Sequence, residues 1–135
     1  MKTIFFAMAF AAAGVLTTSA ATPAHHGGAS LDEGTVLTLE GTVAEWIWAF
    51  PHNYLTIDVE DENGAVTRWV LETQNPVSAT RLGFRRGSFA AGDEVTVNLT
   101  PVKSGAPLGL IRSVVLPDGE RLGSGGDAPA PTQAK

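Results

Sequence analysis

The chain has 135 residues, no cysteine, and 14 acidic against 9 basic side chains, for a net charge of -5. Without cysteine there is no disulfide framework, so the fold must rest on its hydrophobic core. The acidic balance argues against nucleic acid as a partner, because neutralising phosphates needs clustered Lys and Arg.

The first residues read as an export signal. Lys2 is followed by an apolar and small-residue run from 4 to 16, then by a small, polar stretch from 17 to 24, the pattern of a secretory leader and its cleavage region. The run is about thirteen residues long, short of the about twenty that a spanning helix needs, so no membrane span is expected after cleavage. Cuts after Ala20, Ala21 or Ala24 all satisfy the small-residue requirement. The expected organisation is a signal peptide over 1–24, a flexible arm over 25–34, a β domain over 35–122 and a disordered Gly/Ala/Pro tail over 123–135. The expected location is the periplasm or the medium of a bacterium. A mature chain of roughly 110 residues suffices for one domain with a modest core.

Within the domain, apolar residues alternate with polar ones between turn signals, the pattern of half-buried strands. The first strand is expected over residues 35–48, with Leu37, Leu39, Val43 and Ile47 inside and a bulge or bend at Gly41. A second, over 53–60, points Leu55, Ile57 and Val59 one way. Asn63-Gly64 closes a hairpin into a third strand over 66–73, with Trp69 and Leu71 on one side. The period then changes: Asn75-Pro76 starts and Gly83 stops a short helix, whose Val77 and Leu82 are expected to seal one end of the core. Strands over 94–102 and 108–116 follow, the last closed by Pro117-Asp118-Gly119. Three strands, a short helix and two strands is the order of an all-β, five-stranded OB-like Greek-key barrel with its helix between strands three and four.

Several short motifs run through this frame: Ala24-His25-His26-Gly27, Gly41-Thr42-Val43-Ala44-Glu45-Trp46-Ile47-Trp48, Pro51-His52, Arg81-Leu82-Gly83-Phe84, Ala91-Gly92-Asp93 and Val115-Leu116-Pro117-Asp118-Gly119. Together they resemble a family of uncharacterised secreted bacterial proteins, a domain of unknown function. The resemblance covers His25 to about Leu122 and implies export and the β fold; it implies no activity. Gly27, Phe50 and Ala90-Ala91 depart from the family's Ser, Asn and Lys-Pro, the second of these beside His52.

The chemistry concentrates in the histidines, of which there are three. A cut after Ala24 would give His25 a free α-amine beside its imidazole. An amine and imidazoles suit copper(II), which binds nitrogen ligands most tightly among first-row divalent metals. His25, His26 and His52 are therefore the candidate metal ligands and copper the candidate cofactor, set against a solvated arm and a structural strand-start histidine. The distance argues against His52 as the third ligand. The arm to Gly34 spans at most roughly 28 Å, whereas a fourteen-residue strand spans over about 40 Å.

The alternative reading is a metal-free interaction module. Trp46 and Trp48 share a strand face opposite Val43 and Ile47, which places both indoles outside unless a bulge swaps the faces; Trp46 is nonetheless expected to pack under the arm or helix. Trp48, Phe50 and Tyr54 are the candidate ligand or partner surface, the partner being another periplasmic protein. Arg81, Arg85 and Arg86 read as a solvated basic group near a helix C-terminus, and the acidic turn over 58–62 lacks the order of a calcium loop. The sequon at Asn98 falls mid-strand. With no cysteine, no nucleophile elbow and no zinc-protease helix motif, a binding module is favoured over an enzyme. A hydrolase built on His52 is the third and weakest reading.

Overall fold

The computed structural model describes residues 31–125. The expected signal peptide and the His25-His26 pair lie outside the described residues, as does the tail from 126 onward. The element order is β1 (Leu37–Ile47), β2 (Asn53–Glu60), β3 (Val66–Thr73), α1 (Pro76–Arg81), β4 (Glu94–Pro101), β5 (Leu108–Val115) and β6 (Arg121–Gly123). The strands lie in the order β3-β2-β1-β4-β5-β6, and a parallel pairing of β3 with β5 closes the first five into a barrel. The chain is thus an all-β closed five-strand barrel with one short helix.

Closure depends on β1, which pairs with β4 through Leu37–Thr42 and with β2 through Thr42–Ile47. Gly41 sits at the handover. A Cβ there would lie 2.8 Å from the Asp58 carbonyl oxygen, closer than real side chains approach, so the crossing demands glycine. The register shift itself falls two residues later, between Val43 and Glu45. An extra residue in one strand reverses which face the following side chains occupy. Val43 is buried, and beyond the shift Trp46 turns inward while Ile47 is 40 % exposed. This bulge corrects the expectation that Ile47 lies inside, and it turns Trp46 inward, the swap of faces that the sequence left open.

The core alternates along the strands, with Leu39, Val43, Leu55, Ile57, Leu71, Val95, Val97, Leu99, Ile111 and Val114 buried together. One end is sealed by the segment between β3 and β4, where Leu82 packs against the core as expected and Val77 does not. Asn75 caps α1 by accepting from the Ser78 N–H at 3.0 Å, and Pro76 opens it. The helix buries Pro76 and Ala79, three apart and hence on one face. Val77, about 100° round from Pro76, is 59 % exposed. Phe84 and Phe89 join Leu82 in filling the end, with Trp46 edge-on to Phe89 at 4.9 Å between ring centroids.

Both ends of the domain extend further than the sequence suggests. Leu31 pairs with Val102 and the Asp32 N–H donates to the Pro101 carbonyl at 2.8 Å, so the expected arm is already tied to the barrel at Leu31. A sixth strand, β6, pairs with β5, and the Gly123 N–H donates to the Leu82 carbonyl at 2.8 Å. Gly123 adopts a φ of 99°, and a Cβ on it would lie 2.3 Å from the Arg112 carbonyl oxygen. Gly123, expected to open the tail, is thus the last residue of this strand. The sequon residue Asn98 is buried and donates to Ser113 Oγ at 3.1 Å, while its Oδ1 accepts from Thr38 at 2.7 Å. It is part of the structure of the sheet.

Candidate functional site

The β1–β2 connection, residues 48–52, and the outer face of β2, β3 and β5 bring most of the candidate residues to one corner. The connection is shaped from below by Asn53, whose side chain is fully buried. Its Oδ1 accepts from the Ala49 N–H at 3.2 Å, and its Nδ2 donates to the Gln74 carbonyl at 2.7 Å. A buried amide with both ends satisfied holds a loop in one shape. The loop contains a cis peptide bond between Phe50 and Pro51. It presents Phe50, 70 % exposed, and delivers His52 to the rim.

Strand register builds the wall beside it. Ile47 is opposite Tyr54, Tyr54 opposite Glu72, and Glu72 opposite Leu110, one row running across β1, β2, β3 and β5. The next row is Glu45, Thr56, Val70 and Leu108, in which Val70 is exposed. Below it, Arg68 donates from two nitrogens to both Asp58 oxygens at 2.8 Å each. These hydrogen bonds, and then the guanidinium charge, hold the Asp58 carboxyl below its usual range. Burial first, and the Glu72 charge second, hold the Tyr54 hydroxyl above its usual value, so Tyr54 stays neutral through the physiological range.

His52 packs its Nδ1 against Glu72 Oε1 at 2.5 Å, with both side chains partly exposed. The nitrogen is itself shielded from solvent, and the contact is not aligned as a hydrogen bond, so Nδ1 has no aligned partner among the described residues. A carboxylate against one ring nitrogen sets the orientation of an imidazole and leaves the other nitrogen to act as a ligand or base. Among the described residues, no three His, Cys, Asp or Glu side chains converge to hold a metal.

Phe50 and His52 lie on one loop, Tyr54 follows in β2 opposite Glu72, and Trp48 leans toward the core. Trp48 is half-buried against the core cluster, 5.8 Å from Trp46 between ring centroids, and Trp46 donates from Nε1 to the Arg85 carbonyl at 3.0 Å. His25 and His26 lie outside the described residues. Arg85 donates to the Thr80 and Phe84 carbonyls at 2.8 Å each, which terminates α1; Arg81 and Arg86 are exposed. Glu72 and Asn53 were not singled out in the sequence. Glu72 was accessible from the hairpin, since counting nine residues outward from Asn63 in both directions reaches Tyr54 and Glu72. Nothing local marks Asn53.

A model of a family of unknown function, DUF6152, matches residues 12–112. The chain belongs to this family. The DUF6152 match takes in the histidine pair, His52 and the whole row from Ile47 to Leu110, and stops short of β6. No curated protein and no solved structure matches the chain. Among the described residues, no helix is long and apolar enough to cross a membrane.

Proposed function

We propose that this DUF6152 chain is an exported, non-catalytic binding module on an OB-like Greek-key barrel, and that it binds copper through the histidine pair His25 and His26. The strand order with a parallel β3–β5 closure supports the OB-like assignment. The leader pattern supports export to the periplasm or beyond, with cleavage after Ala24. The observation that carries the metal reading is the anchorage at Leu31. Its pairing with Val102 and the Asp32 hydrogen bond to Pro101 tie the chain down five residues after His26. The amine and ring of a terminal His25, with the His26 imidazole, form a nitrogen set of the kind copper(II) prefers.

Native mass spectrometry of the protein recovered after export tests this. The expected chain begins at His25 and takes up one cupric ion, and His25→Ala loses that ion. A chain beginning at Ala21 or Thr22, or a variant that binds as well as wild type, overturns the reading.

The second reading is a metal-free surface for a small ligand or another periplasmic protein. It draws on the exposure of Phe50 beside Ile47, Tyr54 and Val70 on a loop clamped by Asn53. Trp48 contributes at most its exposed edge. Phe50→Ala would then abolish partner capture without a change in melting temperature, whereas retained capture would exclude this surface.

A further inference from the structure

The handover of β1 from β2 to β4 leaves a concavity at the end of β2 away from His52. The β1–β2 pairing reaches only Thr42 and Asp58. Toward its start β1 continues beside β4, while β2 continues beside β3 to Glu60, opposite Val66. A cleft of about 740 Å³ lies across this parting of the strands, and small-molecule sites commonly measure about 300–1,000 Å³. Its lining follows from strand periodicity. Glu40 and Thr42 on β1, Asp58 and Glu60 on β2, and Glu94 and Thr96 on β4 hold alternate positions and so share the outer face. Residues between them, such as Val95 and Val97, fill the core. Val66 on the β3 side, and Leu116 and Pro117 on the β5 side, add apolar surface.

The charge of the cleft has one sign. Four carboxylates line it and no Lys or Arg does. Arg68 reaches Asp58 from outside the lining, whereas among the described residues no cation pairs with Glu40, Glu60 or Glu94. Like charges on neighbouring strands repel, and a cation in the cleft relieves that repulsion. A single metal ion does not match this arrangement, because among the described residues no three such side chains converge. Asp58 is opposite Thr42 and Thr42 opposite Glu94, two strand intervals or about 10 Å. Glu60 is two residues further along β2, so the carboxylates stretch over about 12 Å of the sheet. The matching ligand carries several positive charges along a chain, with apolar stretches between them. A basic peptide gains less here, since the cleft offers side chains of a sheet face and no strand edge for a main chain to join.

We infer that this cleft binds a linear aliphatic polyamine, its ammonium groups on Glu40, Glu60 and Glu94 and its methylenes against Val66, Leu116 and Pro117. The site is independent of the copper reading, for it contains no histidine and lies at the far end of β2 from His52.

Calorimetric titration of the exported full-length chain, in metal-free buffer at low ionic strength, tests this with butylamine, putrescine, spermidine and spermine. Saturable one-to-one binding is expected, tightening from diamine to tetra-amine, absent for butylamine and weakened by salt. Glu40→Gln, Glu60→Gln and Glu94→Gln should each weaken spermine binding about two- to fivefold, the effect of a partly exposed ion pair, and the triple variant should weaken it more than about tenfold. Glu33→Gln is the control: it is exposed beside the Leu31–Val102 pairing, at the other end of β4 from Glu94, and should bind as wild type does. Melting of the ligand-free variants should match or exceed that of wild type, because they lose only repelling charges. No binding by wild type overturns the inference. So does a Glu33→Gln loss as large as the others, or magnesium competing as well as putrescine at equal concentration, since either shows diffuse attraction to an acidic chain. A Lys-rich peptide that needs the three carboxylates while spermine fails to bind would assign the cleft to a protein and overturn the polyamine.

Discussion

Replacing Asn53 by Ala tests the part of the structure on which the candidate site is built. The side chain is fully buried and joins the 48–52 loop to the end of β3 by accepting from Ala49 and donating to Gln74. Asn53→Ala deletes two hydrogen bonds and leaves the Ala49 N–H without its partner, while the Gln74 carbonyl keeps the Asn53 backbone N–H at 3.4 Å. A typical net hydrogen bond is worth about 1 kcal/mol, and an orphaned buried group costs about 1–3 kcal/mol. Partial rescue by water at the rim keeps the total near the lower end, at roughly 2–4 kcal/mol. Against an ordinary domain stability of about 5–15 kcal/mol, that is a large fraction. At about 4 °C or more per kcal/mol for a domain this size, the melting temperature should fall by roughly 8 °C or more. Urea unfolding followed by tryptophan fluorescence reads the change as a lower midpoint at unchanged slope. A loss below about 0.5 kcal/mol, the range of an ordinary surface substitution, would refute the clamp.

Further expectations follow from the same geometry. Tyr54 is the chain's single tyrosine, so absorbance at 295 nm on raising the pH reports it alone. Its ionisation should come above the usual value, and Glu72→Gln should lower the midpoint only in part, since burial is the larger cause. Because the folded protein holds this proton longer than the unfolded chain, stability should fall as pH rises through the unfolded tyrosine value near about 10; a midpoint at or below that value would contradict the burial. The bulge predicts that Ile47→Lys leaves the melting temperature nearly unchanged while Trp46→Ala costs about 3–5 kcal/mol in denaturant unfolding, the reverse of what an uninterrupted strand would give. Gly123→Ala should lower the denaturation midpoint clearly, because both its φ of 99° and the Arg112 carbonyl forbid a Cβ; an unchanged midpoint would remove β6 from the fold.

The strands whose side chains alternate without interruption were readable from the residues alone. Leu55 and Ile57, Leu71, Val95 and Val97 all turn inward as their spacing requires, and the Asn63-Gly64 turn pairs β2 with β3 in the register that brings Tyr54 opposite Glu72. The second half of β1 was not, because the extra residue between Val43 and Glu45 carries neither Gly nor Pro and leaves no trace in composition. That single residue decides whether Trp46 or Ile47 is inside, and it moved Trp48 from the candidate surface to the flank of the core. β6 is three residues long, too short for any period to show. Phe84 and Phe89 seal the barrel from a segment without regular structure, where spacing says nothing about direction. At the site, His52, Phe50 and Tyr54 were identifiable by residue type, whereas the Glu72 contact depends on register and the Asn53 clamp on a loop conformation.

The most direct test of the account is a pair of amide correlation spectra of the exported, isotope-labelled protein, without and with one equivalent of cupric ion. Paramagnetic broadening should centre on the residues before Leu31 and reach Leu31 and Asp32, which the barrel holds next to them, while the amides of Asn63, Gly64 and Gly119 survive. No broadening at one equivalent, or broadening spread evenly over the barrel, would contradict a copper site at the His25-His26 pair.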